Sequence, residues 1–127
     1  VAGAFHTQHM APAVAELAAF AETLAPASPA VTILSNADGT AVADGADILG
    51  RLVSQVTSPV RWDLCMDAML ALGVTGLLEL APAGTLVGLA KRGMKGVESV
   101  ALKTPDDLDA AAALIAAHSH TSPSANA

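Results

Sequence analysis

Apolar residues recur along this chain with helical spacing in some stretches and as short β-branched runs in others. Val14, Leu17, Ala18, Ala21 and Leu24 fall on one stripe, with Glu16 and Glu22 off it, which predicts an amphipathic helix. Pro12 suits its first turn, and Pro26 and Pro29 end it. Val31-Thr32-Ile33-Leu34 reads as a short strand, stopped by the turn residues Ser35-Asn36-Ala37-Asp38-Gly39. Asp44-Gly45 opens a second helix whose apolar face is Ile48, Leu49, Leu52, Val53 and Val56, and Ser58-Pro59 breaks it. A third helix carries Trp62, Cys65, Met69 and Leu72 on one stripe, with Gly73 suited to its C-terminal cap.

Residues 74–80 form an apolar run without alternation, the pattern of a strand covered on both faces in a parallel sheet. Pro82-Ala83-Gly84 turns the chain into a short helix ending near Lys91-Arg92, and residues 97–102 predict a third strand. Thr104-Pro105-Asp106-Asp107 starts the last helix: a capping hydroxyl, then proline, then acids in the first turn. That helix carries Leu108, Ala111, Ala112, Leu114 and Ile115. Strands alternating with helices predict an α/β unit with a short, partly parallel sheet flanked by helices. There is no internal repeat. Residues 1–117 read as one unit, and residues 118–127, rich in Ser, Thr and Ala, read as a flexible tail.

Composition changes this picture in one respect. Of 127 residues, 53% are hydrophobic and only 14% charged, where an ordinary soluble domain carries about 25% charged residues. So little charge on so short a chain implies that something outside this sequence covers part of its apolar surface. Three strands also leave a sheet edge open, which asks for further strands. The chain does not begin with Met, and it reads as a piece of a longer protein. Gly, Pro and charges interrupt every apolar run well short of the roughly 18 residues of a membrane span. A net charge of −6 with six basic residues argues against nucleic acid, and two Phe, one Trp and no Tyr leave few bases a stacking platform. One cysteine forms no internal disulfide and suits a reducing compartment.

The stretch with most chemical content is Gly3-Ala4-Phe5-His6, just before the first helix. A histidine in such a loop can have one ring nitrogen held and the other free, as a general base requires. A loop histidine bonded to a neighbouring carbonyl is the plain alternative. The segments GAFHTQHMAPAV, LSNADG, LVSQVTSPVRW and LELAPAGTLVGLAKR follow one another in that order. They resemble the C-terminal part of bacterial malonyl-CoA:acyl carrier protein transacylases, most closely the actinobacterial type, over residues 1–117. The resemblance implies the C-terminal part of an α/β-hydrolase-like acyltransferase subdomain. It also implies malonyl transfer from malonyl-CoA to the phosphopantetheine thiol of acyl carrier protein, in cytoplasmic fatty-acid or polyketide synthesis. No cofactor or metal is implied beyond the CoA thioester itself.

Within that resemblance, His6 matches the general base that takes a proton from a serine nucleophile. Gln55 matches the position whose main-chain carbonyl holds the other ring nitrogen. Phe5 matches a bulky residue that accompanies malonyl selection, by narrowing the space beside the substrate's α-carbon. Lys91 and Arg92 are candidates for meeting the acidic carrier protein or CoA phosphates, and would equally complement the dipole of a helix C-terminus. Cys65 reads as core, the pair His6 and His9 is weak evidence for metal, and His118 and His120 fall in or near the tail without an assigned role. The family's GHSxG elbow, its malonyl-binding Arg and its oxyanion-hole Gln have no match here. None of Ser28, Ser35, Ser54 and Ser58 stands in an elbow-like context. This chain would therefore supply the histidine but not the serine, with the N-terminal portion of the same enzyme as its partner. A non-catalytic interaction module, and part of an acyltransferase domain in a modular synthase, are the alternatives.

Overall fold

A computed structural model describes residues 3–119. The chain divides into two compact units, Val1–Ala68 and Met69–Ala127, with the boundary inside a helix and no shift in composition to mark it.

In the first unit a single 3-10 turn, Gln8–Met10, runs straight into helix α1, Ala11–Ala21, with Pro12 in the first turn where its missing N–H costs nothing. Strands β1, Ile33–Leu34, and β2, Ala41–Val42, form a small antiparallel hairpin pairing Ile33 with Val42 and Leu34 with Ala41. The turn between them is closed by Asp38, whose carboxylate accepts from Thr40 Oγ1 at 2.7 Å, from the Thr40 N–H at 3.0 Å and from Arg51 Nη1 at 3.0 Å. These bonds, the Thr40 hydroxyl first, hold the Asp38 pKa down to about 2. Gly39 follows at φ 72°, a conformation that favours glycine.

Helix α2, Gly45–Gln55, is capped by Asp44, which accepts from the Asp47 N–H at 2.8 Å. It packs against α1. Helix α3, Trp62–Ala71, ends as the sequence predicts: Gly73 lies at φ 75°, and N–H groups of Gly73 and Val74 return to the carbonyls of Leu70 and Met69, both at 3.0 Å. Ala21, Val42 and Cys65 are the buried apolar residues of this unit, joined by two buried polar ones, Ser35 and Gln55.

The second unit is built on two parallel strands, β3, Gly76–Leu80, and β4, Glu98–Leu102, in register from Gly76 opposite Glu98 to Leu80 opposite Leu102. Helix α4, Thr85–Gly93, makes the crossover, and helix α5, Leu108–His118, packs on both strands. A 3-10 turn, Pro105–Asp107, leads into α5 where the Thr-Pro-Asp-Asp pattern predicts a helix start, and the Asp107 carboxylate caps it by accepting from the N–H groups of Thr104 at 3.0 Å and Lys103 at 2.9 Å. Glu79 caps α4 from the end of β3. Its carboxylate accepts from the N–H groups of Gly84 and Val87 at 2.8 Å and of Leu86 at 3.0 Å. Leu77, Val87, Ala90, Met94, Ala111 and Leu114 form the core.

The α/β class and the parallel pair agree with the sequence; the membership of the sheet differs. The strand expected at residues 31–34 does not join the parallel strands, because the turn at residues 35–39 folds the chain back on itself and β2 takes its edge. His118, which the sequence places outside the folded unit, is in a helix. His118 is the last residue of α5, and its ring joins Thr75 Oγ1 through Nδ1 and Glu98 Oε2 through Nε2, each at 2.9 Å. Gly76 is what makes room for that ring, since a Cβ there would lie 2.8 Å from His118 Cγ. Residues 120–127 lie outside the described residues. Large apolar side chains remain exposed in both units, among them Phe20 and Leu52 in the first and Leu72, Leu80 and Ile115 in the second.

Candidate functional site

His6 stands at the entry to α1 with its backbone in the left-handed region, φ 60°. For a residue other than glycine that conformation costs on the order of 1 kcal/mol or more, and persists only where its surroundings hold it. Thr7 does part of the holding. Its hydroxyl donates to the Ala4 carbonyl at 2.6 Å and accepts from the His9 N–H at 3.3 Å, which caps the turn Gln8–Met10. Gln8 adds a link from the same loop to the far end of α2, with Nε2 donating to the Thr57 carbonyl at 3.4 Å.

That end of α2 also meets the imidazole. His6 Nδ1 lies 2.8 Å from the main-chain carbonyl oxygen of Gln55. A carbonyl oxygen can only accept, so the contact puts a proton on Nδ1 and, in the neutral ring, leaves the lone pair on Nε2. Among the described residues Nε2 has no hydrogen-bond partner, and His6 is exposed. The ring thus has one nitrogen held and one free to take a proton. No carboxylate bonds to it among the described residues.

The carbonyl is available for a reason visible in the chain. In a continuing helix the Gln55 oxygen would accept from the N–H of residue 59, but residue 59 is proline and has none. The Ser58 N–H closes a tighter turn onto it at 3.1 Å, and the second lone pair faces His6. A carbonyl four residues before a proline is a sequence-level signal for such an acceptor. Gln8 also belongs to this assembly without having been singled out by the sequence; its position two residues after His6, in the same turn, was the available cue.

Of the other candidates, Phe5 is 63% exposed, its ring lying over the Gly3 backbone so closely that a Cβ on Gly3 would come within 2.7 Å. Lys91 and Arg92 are exposed in the last turn of α4, in the second unit, and make no salt bridge among the described residues. Arg51 and Arg61, in contrast, are committed to Asp38, Asp47 and Asp63. Cys65 is 1% exposed, with Sγ 3.4 Å from the Ser35 carbonyl; burial, then the charges of Asp38 and Asp63, push its thiol up. A protonated buried thiol of this kind belongs to the core. Among the described residues no three His, Cys, Asp or Glu side chains come together as metal ligands, so His9 gains no third partner beside His6. Ser54 and Ser58 spend their hydroxyls on the carbonyls of Arg51 and Ser54 at the end of α2.

No family model matches the chain. It is similar, at 52% identity over 109 residues, to the malonyl CoA-acyl carrier protein transacylase of Mycobacterium tuberculosis, covering 86% of this chain and 36% of that protein. The chain therefore spans about a third of the length of that relative. The crystal structure of the M. tuberculosis enzyme superposes with a TM-score of 0.79 over 87% of this chain and 36% of that one. A structure of a type II polyketide acyl-carrier protein in complex with its malonyl-transacylase matches at 30% identity and TM-score 0.78, covering 87% of this chain and 36% of that one. By sequence and by fold, the chain is similar to the C-terminal part of malonyl-CoA:acyl carrier protein transacylases, the mycobacterial enzyme among them.

Proposed function

We propose that this chain takes part in malonyl transfer from malonyl-CoA to the phosphopantetheine thiol of acyl carrier protein, supplying the base of a serine–histidine pair. The observation that carries the reading is the His6 ring, with Nδ1 2.8 Å from the Gln55 carbonyl and Nε2 open. In the first half-reaction Nε2 takes the proton of a serine hydroxyl as its oxygen attacks the thioester carbonyl. The imidazolium then gives that proton to the departing CoA thiolate, leaving malonyl on the serine. In the second half His6 deprotonates the carrier thiol, which attacks the ester, and the proton returns to the serine oxygen. The Gln55 carbonyl keeps the ring in the required tautomer throughout. It supports the imidazolium less than a carboxylate would, as a dipole offers less than a full charge.

The serine comes from the portion of the enzyme that this chain does not match. The exposed apolar residues of both units and the low charge of the chain support a working partner of that kind. Phe5, next to the base, would narrow the pocket at the substrate's α-carbon, a selection worth about 1–3 kcal/mol per methyl. Lys91 and Arg92 would meet the acidic carrier protein or the CoA phosphates. A protein assembled in this way would act in the cytoplasm on soluble thioesters; no helix of the described residues is long and apolar enough to cross a membrane.

Intact mass spectrometry of the purified protein, before and after exposure to malonyl-CoA, tests the reading. A malonyl adduct on a serine-bearing polypeptide that travels with this chain is the expected result. A lone chain of 12.6 kDa that carries no adduct, and confers none on the portion of its mycobacterial relative that it does not match, refutes it.

A further inference from the structure

The amide of Gln55 is a second functional group on the residue whose carbonyl faces His6, and both protons of its nitrogen are engaged. Gln55 is 8% exposed, one of two buried polar residues among those described. Its Nε2 donates both protons to main-chain carbonyls just beyond the helix, Ser58 at 2.9 Å and Pro59 at 2.9 Å. The covalent pattern explains why such a clamp is needed. Pro59 removes the helical N–H that would have satisfied and oriented the Gln55 carbonyl, and the bonds that follow are the looser ones of a fraying end: Val56 to Val53 at 3.4 Å and Thr57 to Ser54 at 3.3 Å. The Ser58 N–H, at 3.1 Å, is the one backbone donor left to this carbonyl among the described residues, and with that bond alone a carbonyl at a fraying helix end would swing and hold an imidazole poorly. The side-chain amide closes the turn 55–59 from the inside, and so fixes the direction in which the carbonyl points.

We infer that the Gln55 side chain is a positioning residue for His6, setting the imidazole tautomer by pinning the turn that carries its own carbonyl. The role does not belong to the carbonyl, which any residue at position 55 would retain. It requires two N–H donors on a side chain long enough to reach residues 58 and 59. The inference rests on the reading of His6 as the base, but its readout is the state of the ring and needs no turnover.

The test is nitrogen NMR of the full chain labelled at histidine, with the His6 signals identified by their loss in His6→Ala. Above the pH at which the ring is protonated, the wild type should show the proton predominantly on Nδ1. Gln55→Glu keeps the shape and removes both donors; Gln55→Met keeps the volume and avoids a carboxylate facing two carbonyls, should the first variant fail to fold. Both leave the main-chain carbonyl in place. In either, the ratio of Nδ1–H to Nε2–H tautomers should fall by roughly fivefold, the equilibrium worth of one ordinary hydrogen bond, while the amide spectrum of the first unit stays dispersed. An unchanged ratio in the folded variants, or a wild type without the Nδ1–H form, overturns the inference. Failure of the base reading has a different signature: malonyl transfer that survives His6→Ala, whatever the tautomer.

Discussion

Gly39 closes the turn beneath α3, and replacing it with alanine makes a demanding test of the first unit's packing. Two costs are separable in the structure. The residue lies at φ 72°, where a Cβ costs an L-residue about 1–2 kcal/mol. That Cβ would also lie 2.6 Å from both the carbonyl carbon and oxygen of Leu64 and 2.8 Å from its Cβ. The first two are backbone atoms of α3, tied into the helix, so they yield only by moving the helix; overpacking of this kind costs about 1–3 kcal/mol. Reduced freedom of the unfolded chain returns about 0.4–1 kcal/mol. The net expectation for Gly39→Ala is a loss of about 1–4.5 kcal/mol. Urea unfolding followed by the fluorescence of the single tryptophan, Trp62 in α3, measures it in the right unit. Gly50→Ala is the internal control: it lies mid-helix in α2 with nothing within 4 Å of its Cβ position, and should gain about 0.5–1 kcal/mol. A Gly39→Ala protein as stable as wild type, or equal effects at the two positions, would refute the reasoning.

Other perturbations reach the second unit. Met94 is 1% exposed, and Met94→Ala should cost about 2–5 kcal/mol by leaving a cavity; a loss well under 1 kcal/mol in a denaturant titration would mean that the site collapses or is not packed. Glu79 gives a pH signature. Desolvation works to raise its pKa, but the N–H groups of Val87, Leu86 and Gly84 and the Lys103 charge outweigh it and hold the carboxyl below its ordinary 4.5. Because the folded-state value is the depressed one, the carboxylate's contribution is complete above pH 4.5 and is lost as pH falls through the lower folded value. Glu79→Gln should therefore lower the melting temperature near neutrality, with the gap to wild type narrowing under acid. A gap that stays constant to low pH would contradict that.

Local chemistry made much of this fold legible in the sequence. Asp44, Gly73 and the Thr104–Asp107 turn act on their immediate neighbours, so their residue types alone announced helix ends that the structure contains. Hairpin β1–β2 was not legible, because Ala41-Val42 is too short to show alternation and only the closed turn at residues 35–39 creates an edge for it to fill. His118 looked like tail because its partners, Thr75 and Glu98, lie far away in sequence and are brought to it by the parallel pairing. The pair His6 and Gln55 is separated by 49 positions, and no periodicity links them; in the sequence only the resemblance does. Pro59 ends α2, as Ser58-Pro59 predicts. That a proline also frees the carbonyl four residues earlier is a consequence of helix geometry, and it points to Gln55 without any relative in view.

Malonyl transfer to acyl carrier protein by this chain combined with the portion of its mycobacterial relative that it does not match, with and without His6→Ala, tests the central claim most directly. A base in this position contributes roughly 10²–10⁴-fold to rate, so the variant should lose about that factor while circular dichroism and the amide spectrum remain those of the folded chain. Transfer at close to the wild-type rate from the folded variant would contradict the account.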